Sequence, residues 1–297
     1  MLLCYYLLVI YCIGDSNIET NISKNNIKFV VMELNFYKYQ GTGNDFILLD
    51  SRKKKIENPI LFKRLCNRHF GIGANGVILI QNDDKYRSDF YMKYCNSDGK
   101  ESTMCGNGGR CAISFANKLG ILKKNKIHFR AIDGYHNGFI VKNNNLVSIH
   151  LLDVDKNTIE IHKKYVFLNT GSPHHILFVE NIKEKNVYQE GKNIRFQNPY
   201  LEKGVNVNFV KILKNNTLQV RTYERGVENE TLSCGTGVVA SVVAACETNK
   251  IKNNMGEILI QTLGGKLWVS LKKTKNEYKN IHLTGNVNFV FKGSILI

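Results

Sequence analysis

Apolar and polar residues alternate in short bursts along this chain, and two longer runs break the alternation. Ser88–Tyr94 (SDFYMKY) and Lys126–Ala131 (KIHFRA) alternate with a period of two and read as half-buried strands. Asn137–Leu151 reads as a hairpin turning at its Asn run. After Cys105 the period lengthens, and GGRCAISFANKLG ends on Gly120, a residue suited to stop a helix. After Cys234 the run VVASVVAACETNK is apolar on nearly every side, which predicts a helix buried within its sheet.

The same order of segments occurs twice. TGNDFILLD at Thr42 resembles TGSPHHILFVE at Thr170, and CGNGGRCAISFA at Cys105 resembles CGTGVVASVVAA at Cys234. GIGANGVILI at Gly71 has a looser echo in GVNVNFVKIL at Gly204. Three segments in one order at nearly one spacing indicate a duplicated domain. The expected fold is α+β: two pseudo-symmetric domains, each a curved mixed sheet wrapped around one central helix, with the site in the cleft between them. The expected boundaries are 32–150 plus 281–297 for the first domain and 151–280 for the second. Residues 1–31 read as a non-structural extension, because MLLCYYLLVIYCI is too short to span a bilayer and a polar stretch follows it.

A formal net charge of +16 raises the possibility of a nucleic-acid or anionic membrane partner. With 32 Lys against 9 Arg, and 36 Asn spread throughout, the charge reads as compositional drift, so neither partner is expected. The eight Cys form no C-x-x-C pair, which argues against structural zinc, and no metal is expected. A chain able to build a full core has little need of disulfides, so free thiols and a cytoplasmic location are expected.

Cys105 and Cys234 are each followed by Gly-x-Gly and then a helix. That places each sulfur beside the free N–H groups and partial positive charge of a helix start, which favour both a thiolate and a bound carboxylate. Inverting a carbon stereocentre requires a base on one face and an acid on the other, and a thiolate facing a thiol supplies both. No pyridoxal or other cofactor is needed. Cys66, Cys95, Cys111 and Cys246 lack this context and read as buried packing residues. Neither Gly-x-Gly has the spacing of a dinucleotide or P-loop motif.

The segments KYQGTGNDF (38–46), GIGANG (71–76), NSDGKESTMCGNGGRC (96–111), GSPHH (171–175), GVNVNFV (204–210), YERGVENETLSCGTG (223–237) and TGNVNFVFKG (284–293) resemble the diaminopimelate epimerase family from Met32 onward. The resemblance implies a cofactor-independent, cytoplasmic epimerase of lysine and peptidoglycan precursor biosynthesis. It would interconvert LL- and meso-2,6-diaminopimelate and act as a homodimer. It makes Cys105 and Cys234 the acid–base pair, with His174 and Glu224 also in the catalytic set. Gly106, Asn107, Gly235 and Thr236 would offer backbone N–H groups, and Asn44, Asn96, Asn206, Glu224 and Arg225 would grip substrate. Ser172 stands where the family commonly has Asn, and Asn75 where it usually has Asp. One extra residue separates Arg225 from Cys234. A related two-cysteine racemase of proline or hydroxyproline is the alternative, although such relatives tend to carry His at the position of Asn107.

Overall fold

The structure, a computed structural model, describes residues 33–83, 88–122, 126–141, 145–252 and 256–297. The extension expected at 1–31 lies outside the described residues. The first half comprises β1 (Glu33–Gly41), β2 (Asn44–Asp50), α1 (Pro59–Cys66), β3 (Gly76–Gln81), β4 (Phe90–Asn96), α2 (Gly106–Lys118), β5 (Lys126–Ala131), β6 (Gly134–Val141) and β7 (Leu146–His150). Two short strands, β8 (Val154–Asp155) and β9 (Glu160–Ile161), lead into the second half. There follow β10 (Val166–Asn169), β11 (Pro173–Phe178), α3 (Val187–Arg195), β12 (Asn206–Ile212), β13 (Leu218–Glu224), β14 (Asn229–Thr231), α4 (Gly235–Glu247), β15 (Ile258–Thr262) and β16 (Gly265–Lys273). A long last strand, β17 (Glu277–Leu296), closes the chain.

Strand pairing repeats as the sequence does. In the first half β1 pairs antiparallel with β2, β2 parallel with β3, β3 antiparallel with β4, β4 parallel with β5, and β5 antiparallel with β6. The second half runs through the same alternation in β10, β11, β12, β13, β15 and β16. Registers correspond as well: Phe46 faces Gly76 where His174 faces Asn206. β17 joins the halves. Its first part pairs with β16 and β7, and Val287–Leu296 pairs with β1, so the strand runs unbroken through the boundary expected at 281.

Among the described residues each half holds two α-helices where the sequence pattern suggested one. The central pair, α2 and α4, lie in one apolar core together with Ile78, Ile80, Ile149 and Leu283. α4 buries Val238, Val239, Val242 and Val243 completely, at about 1.5–3 kcal/mol of favourable burial per side chain. The outer helices cover the opposite sheet faces. α1 packs Phe62 and Leu65 on Val77 and Leu79, and Val187 of α3 packs with Val207 and Phe209. β3 and β12 are therefore covered on both faces, which explains the unbroken apolar run of β3 (GVILIQ). On β12 the period of two sends Val207 and Phe209 toward α3 and leaves Asn206, Asn208 and Val210 on the α4 side. That face carries half of the site.

Both outer helices have start signals. Asn58 accepts from Leu61 N–H with Pro59 in the first turn, and Asn186 accepts from Gln189 N–H. No helix among the described residues is long and apolar enough to cross a membrane.

Candidate active site

Cys105 and Cys234 are the N-cap residues of α2 and α4, both in extended backbone (φ −90° and −117°). The glycine after each is the first helical residue, and the two helix starts abut. A Cβ built on Gly235 would lie 3.8 Å from Gly106 Cα, and Cβ atoms on both glycines would touch the Leu283 side chain. Cys105 lies close enough to raise the cost of ionising Cys234, and Glu224 acts on both.

Burial is the largest influence on each thiol and pushes it up, Cys234 to about 12. Backbone N–H groups of the helix starts oppose this: Gly108 and Asn107 act on Cys105, and Gly237 acts on Cys234. Cys234 has a further donor in Thr236, whose hydroxyl oxygen is 3.5 Å from the sulfur. Burial also raises the Glu224 carboxyl, against a 2.8 Å hydrogen bond donated by the Thr231 hydroxyl. The four remaining described cysteines are buried and unpaired, with thiols raised by burial.

His174 is fully buried, and burial lowers its pKa to about 3, so the ring is neutral. Its tautomer follows from its neighbours. The Thr222 hydroxyl donates to Asn208 Oδ1 at 2.9 Å, which turns the Asn208 amide so that Nδ2 donates to His174 Nδ1 at 3.0 Å. The ring proton therefore sits on Nε2, which is 3.0 Å from both Ser172 Oγ and Thr236 Oγ1. Ser172 Oγ also accepts from Asn206 Nδ2 at 3.2 Å and lies 3.0 Å from Thr236 Oγ1. With that ring proton on Nε2, the hydroxyl protons both find acceptors when Ser172 donates to Thr236 and Thr236 donates to the Cys234 sulfur.

On the Cys105 side, Asn107 Nδ2 donates to Asn44 Oδ1 and, at 3.2 Å, to Ser233 Oγ beside Cys234. The Ser233 hydroxyl donates in turn to Thr42 O at 2.8 Å. Asn75 Oδ1 accepts from Asn44 Nδ2 at 3.4 Å and from Asp45 N–H at 3.1 Å, an acceptor role that Asn fills as Asp would. The Asn44 loop is pinned by Asp45, which pairs with Lys38 at 2.8 Å and with Arg68 at 2.7 Å. Burial raises that carboxyl, but the two cations together outweigh it and hold it below the usual range.

Asn206 is buried, and its Oδ1 accepts from Arg225 N–H at 3.0 Å. The Arg225 guanidinium is exposed and donates to Lys203 O at 2.9 Å. Asn96 is exposed at the end of β4, opposite Gly76. The structure thus brings Cys105, Cys234, Gly106, Gly235, Asn107, Asn44, Thr236, His174, Ser172 and Asn206 into one connected site, with Glu224 in electrostatic reach. Asn96 and Arg225 are exposed. Beyond Arg225 the chain makes the β13–β14 turn, where Glu228 adopts φ 55°. Glu230 pairs with Arg221 at 2.6 Å, away from the thiols.

Sequence reasoning missed Asn208, Thr222 and Arg110. Asn208 could have been found by the period of two, because it shares a strand face with Asn206. No group of three or more His, Cys, Asp or Glu among the described residues could hold a metal ion.

The sequence model of the diaminopimelate epimerase family matches residues 36–151 and 166–290. The chain belongs to the diaminopimelate epimerase family. It is an isomerase. A diaminopimelate epimerase of Flavobacterium psychrophilum is 48% identical over 264 residues, spanning 88% of this chain and 100% of that protein. One of Aquifex aeolicus is 37% identical, spanning 88% and 98%. Among solved structures, a PhzF-family phenazine biosynthesis protein of Bacillus anthracis superposes with a TM-score of 0.68 at 15% identity, over 90% of this chain and all of that one. A hydroxyproline epimerase of Agrobacterium vitis superposes with a TM-score of 0.65 at 12% identity, over 89% and 93%. At those identities the likeness is one of fold.

Proposed function

We propose that this epimerase interconverts LL- and meso-2,6-diaminopimelate through a thiolate and a thiol acting on opposite faces of one α-carbon. The observation that carries the reading is the abutting pair of helix starts, each capped by a cysteine and related by the duplication. The substrate α-carboxylate sits between them, on backbone N–H groups of Gly106, Asn107, Gly235 and Thr236. One cysteine, as thiolate, removes the α-proton, and charge moves onto the carboxylate, where the N–H groups and both helix dipoles stabilise it. The other cysteine, as thiol, delivers its proton to the opposite face. The centre is inverted, and the two sulfurs have exchanged protonation states.

Neutral His174 serves as a donor that sets the Ser172–Thr236 hydroxyls, and through them the sulfur of Cys234. Glu224, with its raised carboxyl, can take a thiol proton when substrate enters. Asn44, Asn96, Asn206 and Arg225 recognise the far end of a substrate that carries a second amino-acid head, where Arg matches a carboxylate fork. The same reading makes the enzyme a cytoplasmic homodimer supplying lysine and peptidoglycan precursors. It divides the chain into 32–150 with 281–297 and 151–280. Support for that division is the pairing of Val287–Leu296 with β1.

The test is deuterium uptake at the α-carbon in D2O, with LL-diaminopimelate, L-proline and L-lysine as separate substrates. Uptake with diaminopimelate alone is the expected result. Uptake with proline, and none with diaminopimelate, would transfer the reading to the proline racemase alternative.

A further inference from the structure

Arg110 lies in the second turn of α2 and is completely buried, the largest such side chain among the described residues. A guanidinium taken out of water is costly unless an anion accompanies it. No Asp or Glu among the described residues forms an ion pair with it. Its Nη2 donates to Thr42 Oγ1 and Asn107 Oδ1, both at 2.8 Å, while Nε and Nη1 have no hydrogen-bond partner among the described residues. The groups that act on its charge are two sulfurs, Cys111 on its own helix and Cys105 at the start of that helix.

The placement is tight on the other side too. A Cβ on Gly285 would come within 3.2 Å of the guanidinium carbon, and one on Gly41 within 3.6 Å of Nη2. The tight approach is at Gly285 on β17, whereas 3.6 Å at Gly41 is ordinary van der Waals contact. Through Asn107 the guanidinium also fixes an amide relay. With Oδ1 held by Arg110, Asn107 Nδ2 must point to Asn44 and to Ser233, which adjoins Cys234.

We infer that Arg110 is a positioning residue of the epimerase site, locking Asn107 and Thr42 in place and serving as the buried counter-ion of the Cys105 thiolate. This rests on the two-thiol reading above. It explains why a cation stands in the core without a carboxylate: the anion that matches it exists only during turnover. The other groups acting on or with Cys105 are Glu224 from β13, Tyr94 from β4, Cys111 from α2 itself and Cys234 from α4, and each of them opposes its ionisation or is neutral beside it. Arg110 is the one cation among the groups acting on it.

Alkylation of reduced enzyme by iodoacetamide tests this without any substrate. The rate at Cys105 is followed against pH by peptide mass in the wild type, Arg110→Met and Arg110→Lys. Loss of the cation is expected to raise the Cys105 midpoint by about one pH unit in Arg110→Met, while Lys keeps it within roughly a third of a unit. An Arg110→Met midpoint equal to wild type, with the thermal transition retained, overturns the inference. If the Met variant does not fold, Arg110→Lys decides. Lys retains charge, but its shorter side chain ends before the place of Nη2, the one nitrogen that holds both Thr42 and Asn107, so kcat is expected to fall about tenfold with the Cys105 midpoint kept. An unchanged kcat in Arg110→Lys also overturns the inference. Because alkylation needs no turnover, a wrong substrate assignment would leave this result standing.

Discussion

Gly106 and Gly235 meet at the centre of the molecule, each opening a helix and each lying against Leu283. The contact is not symmetric. A Cβ on Gly235 would approach Leu283 Cδ2 to 2.9 Å, whereas one on Gly106 would keep 3.5 Å, ordinary van der Waals distance. Leu283 is fully buried on β17 and has little room to move. Gly235→Ala should therefore displace the start of α4, lowering kcat/KM at least about tenfold and stability by roughly 1–3 kcal/mol. Gly106→Ala should change both far less. Steady-state kinetics and thermal melts of the two variants check this, and equal effects would contradict it.

The Thr222–Asn208–His174 chain predicts graded losses. Asn208→Leu leaves the buried His174 Nδ1 without its donor and should cost about 1–3 kcal/mol. Thr222→Val removes only the group that orients the Asn208 amide, and should cost about 0.5–1.5 kcal/mol. Denaturant titrations of both variants measure the difference. Asn208→Leu should also lower kcat more than Thr222→Val does.

Stability should fall in acid because of two buried histidines. His174 is lowered from 6.5 to about 3 and His175 to about 4, both mainly by burial. Below pH 6.5 the unfolded chain binds protons at these rings that the folded protein does not, so unfolding becomes easier as pH falls toward 3. Their contribution is fully present above pH 6.5. His174→Gln should flatten the stability–pH curve between 6.5 and about 3 relative to wild type, even where it lowers stability at neutral pH. A curve parallel to wild type would show that His174 binds its proton in the folded protein as readily as in the unfolded chain.

Ser172 joins His174, Asn206 and Thr236, so Ser172→Ala removes the hydroxyl that drives the Thr236 proton toward Cys234. Asn206 keeps Pro173 O as acceptor and His174 keeps Thr236, so the fold should lose only about 1 kcal/mol. Turnover should fall about five- to tenfold, a loss that Ser172→Thr partly avoids.

Much of this was legible in the residues. Lys126–Ala131 is the strand its alternation predicts, and both cysteine-led helices form, opening already at Gly106 and Gly235 within the Gly-x-Gly, with the first stopping just before Gly120. The duplication read from three sequence echoes reappears as one repeated order of strand pairing. What escaped was local and long-range at once. The outer helix Val187–Arg195 is mostly polar and declares itself through its Asn186 cap, a signal that carries weight only once the helix is known. Asn208 and Thr222 lie on adjacent strands, and their pairing is a matter of register, which no single segment encodes. Arg110 carries no mark of its burial in the local sequence, because burial of a cation depends on what faces it from distant strands, here Gly285 on β17.

The account stands on two sulfurs serving one carbon, and single-cysteine variants examine that most directly. Reduced Cys105→Ser and Cys234→Ser proteins, shown folded by their thermal transitions, would each be incubated with LL- and with meso-diaminopimelate and the isomers resolved by chromatography. The expected result is loss of epimerisation by about a hundredfold or more in both variants and from both isomers. Wild-type turnover by either variant would contradict it.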